Sequence, residues 1–212
     1  MFGSGSLSAS PATLVLEGEY VLLEPLSMDH LDGLCVVGLD PELWRWEAIR
    51  KRSREDMQAY IRKALNEWQR GASLPFATIS RETGQVIGST RYMNMDLANR
   101  RVEIGATWIG RAWQRTAVNT EAKYLMLRYA FEVLGCFRVE LKTDVLNERS
   151  RRAILRLGSK EEGVLRRHVV TDTGRVRDTV YYSILDHEWS SVKVALQAKL
   201  QTHKGRSEAQ TP

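Results

Sequence analysis

Residues 101–135, RVEIGATWIGRAWQRTAVNTEAKYLMLRYAFEVLG, change from the periodicity of a strand to that of a helix. Apolar residues alternate through the first part, which predicts a strand, and then recur at spacings of three and four, which predicts a helix. The alternation sets Val102, Ile104, Ala106 and Trp108 on one face and Glu103, Gly105 and Thr107 on the other. The helical positions are Val118, Ala122, Leu125, Tyr129 and Val133, and Gly135 follows as a stop.

The turn between these two elements has the composition of an anion-binding site. A helix start offers unpaired N–H groups and the positive end of the helix dipole, and Asn119 and Thr120 are suited to cap it. Arg111 and Arg115 lie in the turn that leads into the helix. The stretch therefore predicts a cradle for an anion or a pyrophosphate. The alternative is an ordinary strand–helix unit whose arginines are solvated.

The composition is that of a globular protein. The chain has 212 residues, of which 43% are hydrophobic, and this is enough for one sizeable domain with a core. No apolar run reaches the length of a membrane span, and the N-terminal residues MFGSGSLSASPAT lack a secretory-signal pattern. The two cysteines and four histidines show neither a disulfide framework nor metal-ligand spacing. We expect a cytoplasmic protein with no metal site and no membrane partner.

The positive charge is concentrated in one region. The net charge is +5, and the basic excess lies between Arg149 and Arg167. A basic patch could bind nucleic acid, an acidic protein or the phosphates of a nucleotide-like cofactor. A solvated helix face gives the same pattern.

The patterns along the chain predict the element order β-α-α-β-β-β-α-β-α-β-β-α. A meander of strands that flows into a β-α-β crossover implies a mixed α/β sheet with helices on both faces. No linker interrupts the chain, so we expect a single domain over residues 16–200, a disordered lead-in over 1–15 and a disordered tail over 201–212. The last helix, predicted over Trp189–Leu200, packs either on its own domain or on a second subunit of a homodimer.

Three stretches carry a resemblance to a known family. The first is WQRTAVNTEAKYLMLRYAF, residues 113–131. The second, residues 138–158, contains Asn147 and Ser150 as Asn-x-x-Ser, followed by Leu-Gly. The third is EGVLR, residues 162–166, with Gly174 and Asp178 behind it. In this order and spacing they resemble the GNAT acetyltransferase superfamily, in the branch of the ribosomal-protein N-terminal acetyltransferases (RimJ/RimL type).

The resemblance implies a fold and a reaction. The fold is a mixed, mostly antiparallel central sheet of about seven strands with helices on both faces. The reaction is direct transfer of an acetyl group from acetyl-CoA to a primary amine, on a protein N-terminus or on a small molecule such as an antibiotic or polyamine. The basic residues of the loop 41–52 argue against a polycationic acceptor. Nucleic acid is expected as a partner only through the ribosome.

The resemblance also implies the acetyl-CoA site. Backbone groups near Trp108 and Ile109 would contact the pantetheine arm and the carbonyl group, and Asn147 would hydrogen-bond the arm. Asn147 could equally be only a helix cap. The turn that would hold the pyrophosphate departs from the family pattern, because Ala117 and Asn119 stand where small residues, usually glycine, are expected. The residues implied for this turn are Gln114, Arg115, Thr116, Ala117, Val118, Asn119 and Thr120.

The catalytic roles implied by the resemblance each have a structural alternative. Ser150 would protonate the departing thiolate, or it is simply a first-turn serine. Glu103 would be the general base, or it is a charge on a solvated face. His168 is the other candidate base, although a lone strand histidine is more often structural. Water relays could also replace a dedicated base. The acceptor pocket would be lined by Trp44, Trp46 and Arg91, and the tryptophans could instead be core residues.

Two other functions remain open at this stage. The chain could bind RNA or the ribosome through the basic residues 149–167 and keep only a vestigial acyl site. It could also be a regulatory domain that senses acetyl-CoA without turnover, which the unusual Ala117 and Asn119 would suit.

Overall fold

A single mixed sheet organises the chain in the computed structural model, which describes residues 14–208 and the side chains of residues 14–204. The sheet has eight strands in the order β1-β2-β3-β4-β5-β6-β8-β7. Neighbouring strands are antiparallel except β5 and β6, which are parallel. The strands are β1 Leu16–Glu17, β2 Val21–Pro25, β3 Ser73–Ser80, β4 Val86–Asp96, β5 Arg101–Ile109, β6 Arg138–Asp144, β7 Lys160–Val170 and β8 Val176–Leu185.

Helices cover both faces of this sheet. They are α1 Leu31–Gly38, α2 Arg54–Gln69, α3 Ala117–Arg128, α4 Glu148–Leu155 and α5 Asp186–Glu208. The main core lies between the sheet and α3 and α5, and includes Leu125, Val139, Tyr182 and Leu196. A second core packs α1 and α2 on the other face. Both predicted features, the mostly antiparallel mixed sheet and the helices on its two faces, are confirmed.

The ends of the described chain differ from the expected boundaries. The eighth strand is the two-residue β1, which sequence periodicity cannot detect. Helix α5 begins at Asp186 and continues to Glu208, beyond the predicted end at Leu200 and through the first part of the predicted tail. Residues 1–13 of the predicted lead-in and residues 209–212 of the predicted tail lie outside the described residues.

A bulge in β5 overturns the simple alternation predicted for that strand. Ala106 has a positive φ of 47°, and the register with β4 shifts between Ser89 and Arg91. The extra residue reverses which side chains face which helix layer. Ile104 therefore packs in the core under α3, whereas Trp108 packs in the core under α1 and α2. The prediction that Trp108 shares a face with Val102 and Ile104 is wrong for this reason.

Helix α3 begins earlier than its predicted caps. Thr116 is the N-cap residue and accepts a hydrogen bond from the Val118 N–H, so the prediction that Asn119 and Thr120 cap the helix is wrong. Glu121 accepts the backbone N–H groups of residues 19–21 at 2.6–2.9 Å, which fixes the start of α3 against β2. A π-helical turn, Tyr129–Val133, extends the helix as far as Gly135, whose φ is 62°.

The two parallel strands separate after a short contact. Residues 101–103 of β5 pair with residues 138–140 of β6, and no pairing between the two strands continues beyond Glu103 and Glu140 within the described chain. From that point β6 pairs only with β8, as far as Asp144. The sheet therefore opens into a cleft between the second halves of β5 and β6.

Candidate active site

The cleft between β5 and β6 brings most of the predicted site together. Its β5 wall contains the Ala106 bulge and ends at Ile109, and its β6 wall leads into Asn147 and Ser150 at the start of α4. On the cleft side, the β5 backbone past Glu103 has no strand partner among the described residues. Such unpaired backbone groups can bind an extended ligand in the manner of an added strand.

The start of α3 lies at the mouth of this cleft. Arg115 has a φ of 64°, so the left-handed backbone geometry of the turn falls on Arg115 rather than on Ala117 or Asn119, which lie in the helix. These two positions therefore need no glycine for their backbone conformation. The first-turn N–H groups of a helix have no intrahelical acceptor and point outward, as an anion requires.

Gln114 joins the two walls of the mouth. Its Nε2 donates to the Ile109 carbonyl at 2.9 Å, and its Oε1 accepts from Arg149 Nη1 of α4 at 2.8 Å. Arg115 follows Gln114 and directly precedes Thr116, the N-cap residue of α3. The strand end, the turn and α4 are thus held in one arrangement around the cleft.

The start of α4 presents two predicted residues. Asn147 is the N-cap, and its Oδ1 accepts the Ser150 N–H at 3.1 Å. Its side-chain N–H donors remain available for a ligand, so capping and ligand binding are compatible. The half-buried Ser150 hydroxyl forms no hydrogen bond within the described chain. It can therefore donate to a group in the cleft.

A carboxylate that the sequence analysis missed lies in the loop that carries Trp44 and Trp46, two of the residues predicted for the acceptor pocket. Glu47 is an exposed residue of the loop after Trp44 and Trp46, and the charged groups of Arg177, Lys51 and Asp144 lie near its carboxyl group. Desolvation of that carboxyl group raises the Glu47 pKa, and the nearby charges of Arg177 and Lys51 partly oppose the increase. A carboxylate with a raised pKa is a better proton acceptor. No motif marks Glu47, because Arg177 and Asp144, two of the three charges near it, come from strands more than 90 residues away.

The loop carrying Glu47 is tied to the end of the β7–β8 hairpin. Asp172 donates its backbone N–H to the Ala48 carbonyl at 2.8 Å, and its Oδ2 accepts the Arg50 N–H at 3.1 Å. A groove of about 320 Å³ runs beside this loop. It is lined by Glu42, Leu43, Arg45, Trp46, Arg111, Leu146, Asn147, Glu148 and Arg149.

Several polar groups beneath the loop lack full partners. Asp144, buried at the end of β6, pairs with Arg175 and lies 3.9 Å from Arg177. Among the described residues, Arg177 Nε and the Thr179 hydroxyl are buried without hydrogen-bond partners. Buried polar groups left in this way are uncommon and point to water or a ligand at the site.

Glu103 occupies the closed end of the cleft, not its mouth. It is buried, and its Oε2 accepts from Lys142 Nζ at 2.9 Å and from Asn94 Nδ2 at 2.8 Å. It pairs with Glu140, four residues before Asp144, which places it about 13 Å from the open end of β6. The alternative of a solvated charge is therefore wrong, and Glu103 and Ser150 do not meet at one point.

His168 lies on the exposed strand β7. Its ring contacts Tyr181 edge-on at 6.0 Å, and the Lys142 ammonium lies 5.6 Å from the same tyrosine ring. This places His168 beside Tyr181, on the sheet face that carries Lys142. As a general base it stays a prediction.

The three predicted acceptor residues have different environments. Trp44 is a core residue, because it is 2% exposed, packs on Trp108 and donates to the Gly38 carbonyl at 2.6 Å. Arg91 is 3% exposed and pairs with Glu67 at 3.2 Å. Burial makes Trp44 a core residue instead of part of an acceptor surface. Arg91 Nε is buried without a hydrogen-bond partner among the described residues, and the role of Arg91 toward the acceptor stays a prediction. Trp46 is half-buried and lines the groove beside Glu47.

The basic residues 149–167 do not form one free surface. Arg149 contacts Gln114, Arg151 contacts Tyr182 and Glu161, and Arg156 donates to Thr120. Arg166 and Arg167 lie apart on β7. The structure thus divides the run between α4 and an edge strand, which weakens the prediction of a nucleic-acid platform.

A buried lysine on α3 is hydrogen-bonded to the strand residues next to the β5 bulge. Lys123 of α3 donates to Thr107 at 2.5 Å and to Thr90 at 3.1 Å, and burial lowers its pKa to about 7. The two threonine hydroxyls are also bonded to each other at 2.7 Å. The sequence analysis did not identify Lys123, since it occupies an apolar stripe.

Two properties of residues 14–208 bear on the expected partners. No group of three or more His, Cys, Asp or Glu side chains there could hold a metal ion. Within the same residues, no helix combines the length and apolarity needed to cross a membrane.

Comparison with known proteins gives a consistent assignment. Residues 21–160 match the family model described as an acetyltransferase (GNAT) domain. A GCN5-related N-acetyltransferase from Brucella melitensis has a crystal structure that is 36% identical, with a TM-score of 0.82, covering 88% of this chain and 85% of that one. RimJ from Mycobacterium smegmatis, in complex with CoA-disulfide, is 24% identical with a TM-score of 0.74, covering 87% and 91% of the two chains, and shows the same fold.

A curated relative has a more specific name. YdaF of Bacillus subtilis (strain 168), whose name assigns it to ribosomal N-acetylation, is 37% identical over 110 residues. The match covers 52% of this chain and 59% of YdaF, so the chain spans little more than half the length of that relative.

Proposed function

The chain belongs to the GNAT acetyltransferase family, and on that premise we propose that it transfers the acetyl group of acetyl-CoA to the α-amino group of a protein N-terminus. One observation carries the proposal. The cleft between β5 and β6 lies between the start of α3, which can hold a diphosphate, and the start of α4, and Asn147 of α4 also lines the groove beside the loop 41–52, where an amine could enter.

The residues at the mouth suit acetyl-CoA. The first-turn N–H groups of α3 and the side chain of Arg115 would hold the diphosphate. The unpaired edge of β5 near Trp108 would bind the amides of the pantetheine arm, with Asn147 on the opposite wall. Backbone N–H groups along that edge can polarise the thioester carbonyl, as an oxyanion site requires.

Glu47 is the base in this proposal. A protein N-terminal ammonium, with an ordinary pKa of about 7.7–8.0, must lose a proton before its nitrogen can attack. The raised pKa of Glu47 brings its carboxylate closer to that range. Trp46 in the same loop supplies an apolar wall for the first side chain of the acceptor.

Ser150 completes the transfer. When the amine nitrogen bonds to the acetyl carbon, the carbon–sulfur bond breaks and the electron pair leaves on sulfur. The Ser150 hydroxyl, free in the cleft, would donate its proton to that thiolate. The nitrogen loses two protons, one to Glu47 before it attacks and a second as the amide forms. One of them restores the Ser150 hydroxyl, which has given its own proton to sulfur, and the other goes to solvent, so the charges balance.

The groove beside the loop 41–52 indicates which class of amine the protein acetylates. The groove beside the loop 41–52 is bounded by both acidic and basic side chains, including Glu42, Arg45 and Arg111, and this mixture does not favour a polyamine. An extended peptide can lie along such a groove. The name of the relative YdaF supports a ribosomal protein as the source of that peptide.

The test is release of free CoA thiol with matched acceptors. Hexapeptides with a free N-terminal serine or alanine are compared with the same peptides blocked at the N-terminus and carrying a free lysine. We expect turnover only with the free N-terminus. Turnover with spermidine or an aminoglycoside and none with peptides would contradict a protein acceptor. Acetyl-CoA binding without turnover on any amine would favour the sensing function. The cytoplasmic location and the homodimer stay predictions.

A further inference from the structure

A second cavity lies where three helices meet beside the predicted diphosphate site. Helix α5 runs back along α3, because Lys193 contacts Glu132 near the end of α3 and Gln197 contacts Tyr124 nearer its start. Its last turns therefore reach the beginning of α3. There a cavity of about 190 Å³ is lined by Thr120, Arg156, Lys199, Thr202 and His203.

The described residues that line this cavity are basic or hydroxylic, and none of them is a carboxylate. Arg156 Nη2 donates to the Thr120 hydroxyl at 3.1 Å, and Lys199 Nζ donates to the Arg156 carbonyl. Burial and the neighbouring charge of Arg156 both lower the Lys199 pKa. Two cations that are held close together and have no acidic partner among the described side chains gain from a bound anion.

A structural role explains only part of this arrangement. Lys199 reaches the last turn of α4, where a cation stabilises the carbonyl end of the helix. That role uses a single donor of the ammonium group. It does not explain why Arg156 and His203 line the same cavity, or why the cavity opens beside Thr120 in the first turns of α3.

We propose that this basic cavity binds the ribose 3′-phosphate of CoA. The inference rests on the proposed function, which places the diphosphate at the first-turn N–H groups of the same helix. CoA carries a phosphomonoester dianion on its ribose, separate from the diphosphate, and that group matches a small cavity with three basic side chains.

Three of the five residues that line this cavity, Lys199, Thr202 and His203, belong to the C-terminal helix α5. The family model ends at residue 160, whereas Lys199 and His203 lie in α5. The 3′-phosphate would thus be recognised by a helix outside the matched domain. Selection between CoA and its 3′-dephospho form would depend on α5.

The experiment compares two ligands and two lysine variants by isothermal titration. The full chain is titrated with acetyl-CoA and with acetyl-3′-dephospho-CoA. We expect acetyl-CoA to bind about tenfold or more tightly, as charge-assisted bonds to a phosphate would produce. Lys199→Gln should remove most of this preference and leave the affinity for the dephospho ligand unchanged. The control Lys193→Gln, on the same helix but at its other end, should keep the preference.

The other outcomes of these titrations separate a failure of the 3′-phosphate site from a failure of the proposed function. Equal binding of both ligands by the unmodified chain would overturn the inference and leave the proposed function intact. A Lys199→Gln variant that weakens both ligands equally would show that Lys199 only caps α4. Inorganic phosphate should weaken the binding of acetyl-CoA more than that of the dephospho ligand. Equal weakening of both ligands would place phosphate at the diphosphate site alone and overturn the inference. No binding of either ligand would remove the proposed function itself.

Discussion

The two ends of the β5–β6 pair differ in how completely their polar groups are satisfied. At the closed end, Glu103 is buried against Lys142 and Asn94, and Arg138 pairs with Glu140 and Glu162. At the open end, the Ser150 hydroxyl has no partner within the described chain, and Arg177 Nε and Thr179 Oγ1 are buried without one.

This difference indicates that the closed end stabilises the fold and that the open end carries out the proton transfers. A carboxylate whose oxygens already accept from a cation and an amide stabilises the structure around it. A carboxylate with a raised pKa, such as Glu47, and a free hydroxyl, such as Ser150, can exchange protons with a substrate. The closed end is therefore expected to set stability, and the open end the rate.

The largest expected effect is at the open end. Glu47→Gln should lower kcat/KM by about 100-fold or more, because it removes the general base. The rate of the unmodified enzyme should rise with pH through the raised pKa of Glu47, since the base acts when deprotonated, and the variant should lose this rise. Glu82→Gln, exposed in the turn between β3 and β4 and outside the groove, is the control. A variant that keeps both its rate and its pH profile would transfer the role of base to His168 or to water.

The next effect belongs to the closed end. Glu103→Ala should lower the free energy of unfolding by about 2 kcal/mol, because Lys142 and Asn94 lose a charged partner. Urea unfolding measures this directly. Glu17→Ala breaks only an exposed pair with Arg81 and should change stability by less than about 1 kcal/mol. A stable Glu103 variant that has lost catalysis would reverse the assignment of the two ends.

Ser150→Ala gives a smaller change in rate. We expect kcat to fall about tenfold, because a thiol pKa near 8.5 makes the thiolate a tolerable leaving group even without an acid. Thermal stability should not change, since the Ser150 N–H keeps its bond to Asn147. Ser191→Ala, exposed on α5, controls for the substitution. A Ser150 variant with a normal kcat would show that solvent protonates the sulfur.

The smallest expected effect is a change in stability at Lys123, the buried lysine beside the β5 bulge. Lys123→Met should raise the free energy of unfolding at pH 7 by about 1 kcal/mol, because a buried amine without a carboxylate is replaced by an apolar chain. The folded pKa of Lys123 is lowered to about 7, so the unmodified chain gains stability as the pH rises from about 7 towards 10.5. Urea unfolding at pH 7 and 9.5 should show this rise, and the variant should lack it. Lower stability of the variant at pH 7 would mean that the ammonium is needed.

The sequence predicted the parts of the site that depend on local pattern. The strand–turn–helix at residues 101–135, the α4 cap at Asn147 and the order of elements along the chain follow from periodicity and capping chemistry. The bulge at Ala106 was missed because one extra residue leaves no trace in composition, and it moved Trp108 to the other face. Glu47 was missed because two of the three charges near it come from distant strands.

The central claim is that the cleft and the start of α3 bind acetyl-CoA, and thermal unfolding of the unmodified chain and of Asn119→Asp with acetyl-CoA tests it most directly. At 100 times its Kd, a ligand that binds only the folded state adds about 2.7 kcal/mol of stability. We predict this gain for the unmodified chain. Asn119→Asp should stabilise the ligand-free chain slightly through the helix dipole and abolish the gain by repelling the diphosphate. No gain in the unmodified chain, or an equal gain in the variant, would contradict the account.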